Sequence, residues 1–188
     1  MRNLIAGLLG TVIGAVLIVI LLGPSQPSYP APYDKVWFIF AGSNALQTTP
    51  YGLLKFSTSI TFLITWIVIG IIIAPFSKKG WNTVRSAIWI GIFQGIVVLA
   101  SLLLTNPEFW SASTRNLELV YIFATSLLVS LCSLISAYPM SILLVRARKQ
   151  SEAPIPQMIE TRCQCGAVFK SKPLICSECG TVLREVED

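Results

Sequence analysis

Residues 3–23 read NLIAGLLGTVIGAVLIVILLG, an apolar run that decides how the rest of the chain must fold. About 20 apolar residues in a helix cross the hydrocarbon core of a bilayer, and Leu4 to Leu22 nearly fill that length without a charge. A cleaved signal peptide, with Arg2 as its positive flank, is the alternative. Signal-peptide cores are shorter, about 7–15 residues, and no small-residue cleavage site follows this run directly. We therefore predict an uncleaved membrane anchor.

Three further apolar runs follow, and the four spans are predicted over about residues 4–22, 56–76, 86–104 and 119–145. The chain is 54% hydrophobic and only 12% charged, about half the charge of a typical soluble domain. The last run exceeds one bilayer thickness, so it is expected to tilt or to bend at Pro139. The predicted fold class is an all-α membrane protein, with a four-helix transmembrane bundle in residues 1–149.

The orientation follows from the lysine and arginine residues near the ends of the spans, which favour the cytoplasmic side. With the N-terminus inside, the inner flanks hold seven basic residues: Arg2, Lys78, Lys79, Arg85, Arg146, Arg148 and Lys149. The outer loops then hold three, which are Lys35, Lys55 and Arg115. We predict a multi-pass protein of the cell membrane with both termini in the cytoplasm.

The outer loop of residues 23–55 is expected to carry structure of its own. It opens with Pro24, Pro27, Pro30 and Pro32 and continues into KVWFIFAG, an apolar run too short to cross a bilayer. A strand, an interfacial helix and a cap over the bundle are all compatible with this run. We favour a segment that lies on the outer membrane surface.

The composition also disfavours several activities. The chain has no histidine, which removes the commonest general base and the commonest catalytic metal ligand. No charged residue stands in the centre of a span, whereas proton relays and ion pathways are normally built on such residues. We therefore expect no enzymatic activity and no small-molecule substrate. A path lined by hydroxyl groups stays open as an alternative, with Thr61, Thr65, Ser126, Ser130 and Ser133 as its candidates.

Small residues at helical spacing mark two candidate packing faces, Gly10/Gly14 and Gly91/Gly95. Glycines four apart let two helices approach closely. They pack either within the bundle, which we favour, or against another subunit. Gln94, beside the second pair, is expected to bond to a neighbouring helix, and Cys132 is expected to be a buried packing residue.

The end of the chain holds four cysteines in two close pairs, Cys163-x-Cys165 and Cys176-x-x-Cys179. Two such pairs can converge on one tetrahedral zinc ion, and a unit of two dozen residues needs metal binding to fold. We predict a structural Zn²⁺ site with these four ligands in residues 161–184, behind a linker of residues 150–160. Iron and a redox disulfide are the alternatives, and a disulfide would need an oxidising compartment.

The stretch from Cys163 to Gly180 resembles the minimal zinc ribbons at the ends of many prokaryotic membrane proteins. These follow the pattern Cys-Pro-x-Cys-Gly, ten residues, Cys-Pro-x-Cys-Gly. Here the first knuckle has one residue between its cysteines and both knuckles lack the proline. The resemblance implies a structural zinc site built from two short β-hairpin knuckles. It covers about a tenth of the chain, and the spans resemble no family that we identify.

Two functions are compatible with these features. The first is a non-catalytic membrane scaffold or accessory subunit that presents a cytosolic zinc ribbon to another protein. The second is a small transporter or channel subunit with a regulatory ribbon. Nucleic-acid binding is disfavoured because acidic residues outnumber basic ones around the cysteines.

Overall fold

The computed structural model describes residues 2–23, 27–77, 80–151, 161–170 and 173–183. The chain divides into two compact units, Met1–Lys149 and Gln150–Asp188. Most of the predicted linker of residues 150–160 lies outside the described residues. Its first two positions continue the last helix of the chain.

The described part of the first unit is helical. Its α-helices are α1 (Arg2–Leu22), α2 (Trp37–Gln47), α3 (Thr49–Leu54), α4 (Phe56–Ile73), α5 (Trp81–Thr105), α6 (Arg115–Ser130) and α7 (Leu134–Ser151). Short 3-10 segments lie at Tyr33–Val36, Ala74–Phe76, Pro107–Ser111 and Leu131–Ser133. Four helical stretches are long and apolar enough to cross a membrane: Arg2–Leu22, Phe56–Phe76, Trp81–Thr105 and Arg115–Ala147. The four predicted apolar helices are thus confirmed.

The order of contacts between α1 and its neighbours gives the helix directions. Gly10 of α1 faces Ile73 of α4, and Gly14 faces Ile69, so α1 and α4 run antiparallel. Thr11 Oγ1 lies 3.3 Å from the carbonyl oxygen of Ile90 in α5. A bundle of alternating helices follows, in which α1 and α5 run in the same direction.

The fourth stretch completes this alternation. Gly91 of α5 packs against Leu127 of α6, and Gly95 packs against Phe123, so α5 and α6 are antiparallel. Near the start of α5, Thr83 Oγ1 lies 3.4 Å from Ser141 Oγ of α7. The bundle therefore has a tail end, where α1 begins and α7 ends, and a hairpin end, where α1 ends and α4 begins.

Both glycine faces are filled inside the chain. A Cβ atom on Gly14 would lie 2.5 Å from Ile69 Cδ1, and one on Gly91 would lie 2.7 Å from Leu127 Cα. These separations are shorter than any ordinary van der Waals contact. The glycines are thus used for packing between helices of one chain.

The segment between the first two spans differs from the favoured prediction of a surface segment. Helix α2 packs against α1 and α5, and α3 packs against α4. Gly42 of α2 meets the backbone of Ala15, in the middle of α1, and Leu46 is fully buried. At about 1.5 Å per residue, the 11 residues of α2 are too short to cross a bilayer. The segment of α2 and α3, called the α2–α3 hairpin below, is therefore packed among the long helices at the hairpin end.

Polar side chains fix this hairpin to three helices. Trp66 Nε1 of α4 donates to Thr49 Oγ1 at 3.0 Å. Gln47 Nε2 donates to the carbonyl oxygen of Ile122 in α6 at 3.1 Å, and Asn44 Nδ2 donates to Ser101 Oγ of α5 at 2.8 Å. The apolar part of the sequence ends at Gly42, but the polar residues after it continue the helix because they find buried partners.

The irregularity in the fourth stretch falls at Leu131–Ser133 instead of at the predicted Pro139, which lies inside α7. Ser133 Oγ donates to the carbonyl oxygen of Ser130 at 2.7 Å. Ser136 Oγ donates to the carbonyl oxygen of Ile67 at 2.8 Å. Hydroxyl groups that bond to backbone carbonyls in this way commonly bend helices.

The described residues of the second unit, 161–170 and 173–183, contain two strands of two residues each. Strand β1 (Thr161–Arg162) pairs antiparallel with β2 (Val168–Phe169), with Thr161 opposite Phe169. An isolated bridge joins Ile175 to Val182. Each half of the stretch between the two cysteine pairs thus pairs with the flank of its own knuckle.

Candidate metal centre

Two backbone turns bring the four predicted ligands together. In the first knuckle, the Cys163 amide donates to the Ala167 carbonyl at 2.9 Å, and the Gly166 amide donates to the Cys163 carbonyl at 3.0 Å. Gly166 has φ of 94°, a left-handed conformation that suits glycine. The strand β1 therefore reverses into β2 directly after Cys165.

The second knuckle repeats this pattern with one more residue. The Cys176 amide donates to the Thr181 carbonyl at 2.8 Å, and the Gly180 amide donates to the Cys176 carbonyl at 2.9 Å. Gly180 has φ of 75°. The extra residue in Cys176-x-x-Cys179 thus lengthens the turn and leaves its closing glycine in the same role. The departure of the first knuckle from the usual spacing is accommodated by a tighter turn.

The four sulfur atoms form one cluster, in which all lie within 4.8 Å of one another. Cys163 Sγ is 3.4 Å from Cys179 Sγ, and Cys165 Sγ is 3.7 Å from Cys176 Sγ. These are distances between unbonded sulfurs, since a disulfide measures about 2.05 Å. A tetrahedral site with zinc–sulfur bonds of about 2.3 Å has sulfur–sulfur edges of about 3.8 Å. The cluster is thus close to the size that a single metal ion requires.

Burial in the ribbon centres on the cysteines. In the described residues 161–170 and 173–183, the buried side chains are Cys163 and Cys176. The apolar side chains of Val168, Leu174 and Ile175 are about half exposed. Their burial therefore contributes little folding energy, because two-residue strands leave no enclosed interior.

Thr181 contacts the sulfur cluster, which the sequence analysis does not predict. Its Oγ1 lies 3.0 Å from Cys179 Sγ. Hydrogen bonds from the hydroxyl and the backbone amide of Thr181 lower the pKa of Cys179 to about 6. The sequence signal is a threonine two residues after the second pair, where the turn aims its side chain back at the sulfur.

The pKa of Cys165, whose side chain is also exposed, is shifted in the opposite direction to that of Cys179. The backbone amide of Ala167 lowers the pKa of Cys165, but hydrogen bonds with the sulfurs of Cys163, Cys179 and Cys176 outweigh it and raise that pKa to about 12. Hydrogen bonds from the thiols of Cys163 and Cys165 also lower the pKa of Cys179, because they stabilise its thiolate form.

Cys132 takes no part in this cluster. It is partly buried and packs against the apolar core of the bundle, which includes Ile69 and Trp66.

Comparison with known proteins identifies no relative of this chain. No protein-family model, no curated protein and no solved structure matches the chain.

Proposed function

We propose that this chain is a non-catalytic, multi-pass membrane scaffold or accessory subunit whose C-terminal zinc ribbon binds another protein. The observation that carries the proposal is the cluster of four sulfurs within 4.8 Å of one another. Four protein thiolates complete a tetrahedral shell and leave no open position for a catalytic water. A closed site of this kind holds a fold together.

The choice of zinc rests on the donor set. Soft thiolate ligands in a tetrahedral arrangement are typical of zinc or of iron–sulfur centres. A single ion fits the sulfur–sulfur distances of 3.4 and 3.7 Å. Zinc needs no redox partner, and its binding supplies the folding energy that two strands of two residues cannot.

The membrane location is supported by an arrangement of side chains that suits lipid. Large aliphatic side chains point outward from the long helices, among them Ile20, Leu128 and Ile135, each about two-thirds exposed. In the described part of the chain, the buried polar side chains are serines, threonines and one glutamine. An apolar exterior around a hydroxyl-rich interior is stable in a bilayer, where backbone groups are satisfied within helices.

The cytoplasmic side is proposed from the basic flanks. Arg2 and Arg85 belong to the end of the bundle from which α7 leads toward the cysteines. Positively charged ends favour the cytoplasm, where thiols stay reduced and can bind metal.

A partner protein is proposed because the ribbon has apolar side chains that are exposed instead of buried within it. Ile175 and Val182 are bridged neighbours and are 58% and 60% exposed. Adjacent exposed apolar residues on a small polar unit are typical of an interaction surface.

The metal part of the proposal is tested by elemental analysis of the purified protein. We expect one zinc per chain, bound as thiolates. Cys176→Ser should weaken zinc binding and leave residues 161–183 disordered while the helices still insert. Cys132→Ser is the matched control and should leave zinc unchanged. Iron in place of zinc would overturn the metal, and unchanged zinc after Cys176→Ser would overturn the ligand set.

The partner is tested separately by co-purification from native membranes with quantitative mass spectrometry. Ile175→Glu keeps all four cysteines, so it should retain zinc and lose the partner. Glu178→Gln, an exposed change in the same knuckle, is the control and should keep both. The interaction role fails if no protein depends on Ile175.

A second candidate function is a small transporter or channel subunit with a regulatory ribbon. The observation that favours it is the α2–α3 hairpin packed among the long helices, since irregular backbone at membrane depth occurs where it is buried or lines a cavity. The proposed hydroxyl path is less favoured, because Thr65, Ser130 and Ser133 donate to carbonyls of their own helices. Flux into liposomes, with and without residues 150–188, distinguishes this candidate from the first.

A further inference from the structure

A cavity of about 280 Å³ opens at the hairpin end of the bundle, between α2, α5 and α6. Its volume is near the lower limit of small-molecule sites, so it suits a ligand of a few heavy atoms. Polar side chains of all three helices line it: Asn44, Gln47, Ser101, Thr105, Glu118 and Tyr121. The α2–α3 hairpin thus forms one wall of a polar site.

The hydrogen bonds of this wall leave acceptors for a ligand. Gln47 Nε2 donates to the carbonyl oxygen of Ile122, and because a carbonyl only accepts, the orientation of the amide is fixed. Asn44 Nδ2 donates to Ser101 Oγ. Within the described part of the chain, no hydrogen bond is recorded for the two amide oxygens, Gln47 Oε1 and Asn44 Oδ1. A ligand that complements them must donate hydrogen bonds.

The charge of the cavity lining indicates which class of hydrogen-bond donor the ligand carries. Glu118 is the acidic residue in its lining, and one carboxylate oxygen accepts from Thr114 Oγ1 at 2.8 Å. The nearest basic residue along α6, Arg115, donates instead to the carbonyl oxygen of Trp110 at 2.9 Å. The carboxylate therefore stays available to a cation. Tyr121, also in the lining, is 58% exposed, and its ring can stabilise a cation by a cation–π interaction.

Two buried polar groups without partners lie one helical turn away from residues of this lining. Gln94 is fully buried and its amide atoms have no hydrogen-bond partner, and the same holds for Ser43 Oγ. Gln94 precedes Val98 by four residues on α5, and Ser43 precedes Gln47 by four on α2, so each shares a helix face with a lining residue. A buried polar group without a hydrogen-bond partner destabilises the fold. Such groups are typical of a site that a ligand or its water completes.

We propose that this cavity binds a small protonated primary amine. The Glu118 carboxylate holds the ammonium group, and the carbonyl oxygens of Asn44 and Gln47 accept its remaining hydrogens. The apolar residues Val98 and Leu102 face the carbon chain of the amine. The ligand comes either from solution or from the ethanolamine headgroup of a lipid, which presents the same ammonium chemistry. This site is independent of the zinc ribbon.

The test uses the full-length protein in phosphatidylcholine nanodiscs and titrates n-butylammonium by isothermal calorimetry. Two matched probes are tetramethylammonium, which has charge without donors, and 1-butanol, which has a donor without charge. We expect saturable binding of butylammonium, with an affinity about tenfold or more above that of both probes. Equal binding of the three compounds, or no saturable binding of butylammonium at millimolar concentration, overturns the proposal.

Variants identify the residue that carries the binding. Glu118→Gln keeps an oxygen that accepts from Thr114, so it should fold, and it should weaken butylammonium binding about tenfold or more. The control is Glu108→Gln, in the Pro107–Ser111 segment and outside the cavity lining, which should leave the affinity unchanged. Helical circular dichroism verifies the fold of both. Unchanged affinity in folded Glu118→Gln overturns the proposal.

A third arm assigns the source of the amine. The titration is repeated in nanodiscs that contain phosphatidylethanolamine. A reduced apparent affinity for butylammonium shows competition and assigns the site to the lipid headgroup. An unchanged affinity assigns it to soluble amines. Both results support an amine site.

Discussion

The bundle and the ribbon use opposite means of holding a fold. In the bundle, large side chains such as Ile18, Ile69 and Phe109 are fully enclosed, and glycines bring helices into close contact. In the described part of the ribbon, only cysteines are buried. Stability in the first unit is therefore spread over many packing contacts, whereas in the second it depends on one set of four atoms. Each unit should respond to a different perturbation.

The proposed topology puts the hairpin end and the tail end of the bundle on opposite sides of the membrane, and labelling of intact cells tests it with an all-or-none result. Ser113→Cys places a thiol in the exposed connection between Pro107–Ser111 and α6, at the hairpin end. We expect a membrane-impermeant maleimide to label it from outside. Ala147→Cys, an exposed position near the end of α7, should label only after permeabilisation. Labelling of both from the same side would end the four-span topology.

Metal removal should separate the two units most sharply. A strong chelator should unfold the ribbon, because metal binding in such units contributes on the order of 10 kcal/mol. The helices should keep their circular dichroism and their thermal unfolding midpoint, since each satisfies its own backbone. Limited proteolysis before and after chelation locates the change. Cleavage confined to residues after 150 is the expected result, and loss of helicity on chelation would contradict the independence of the units.

The reverse perturbation is Gly42→Val in α2. The added side chain would meet the backbone of Ala15 in α1, so overpacking should destabilise the bundle by about 3 kcal/mol or more. Zinc content should stay at one per chain. Unfolding in a mixed-micelle titration measures the loss, and Ala41→Val, at a partly exposed position of the same helix, is the control. A hairpin that lay on the membrane surface would tolerate both changes equally.

A smaller effect is expected from Trp66→Phe in α4. This change removes the hydrogen bond that Trp66 Nε1 donates to Thr49 Oγ1 and leaves a small void. The expected loss of bundle stability is about 1–3 kcal/mol. Trp110→Phe, at a half-exposed position, is the matched control and should change little. Equal stability of the Trp66 and Trp110 variants would show that the hairpin is not anchored to α4.

The sequence predicts the four apolar helices well because a long uncharged run has few alternatives. The position of the α2–α3 hairpin is harder to predict, since it depends on hydrogen-bond partners that are distant in the chain. Asn44 and Gln47 resemble loop residues until Ser101 and Ile122 are placed beside them. The 3-10 segment at Leu131–Ser133 is not predicted either, because the sequence favours a bend at Pro139. The hydrogen bond of Ser133 with the Ser130 carbonyl forms only when the local backbone places the two groups together.

The cluster of four cysteines could be predicted because two close cysteine pairs favour convergence on one tetrahedral site. The contact of Thr181 with Cys179 could not be predicted, since it depends on the conformation of the turn at Gly180. The amine cavity has no linear pattern at all. Its lining comes from three helices, and Glu118 stands far from Asn44 in the chain.

The hydrogen bonds of the α2–α3 hairpin also constrain the order in which the helices assemble. Gln47 bonds to Ile122, which follows it by 75 residues, so the polar side chains of α2 leave the ribosome long before their partners exist. Until α6 emerges, we expect water to satisfy the amide of Gln47, and the hairpin to reach its final place only when α6 has folded beside it. A nascent chain arrested before α6 should therefore still expose residues 37–54 to water.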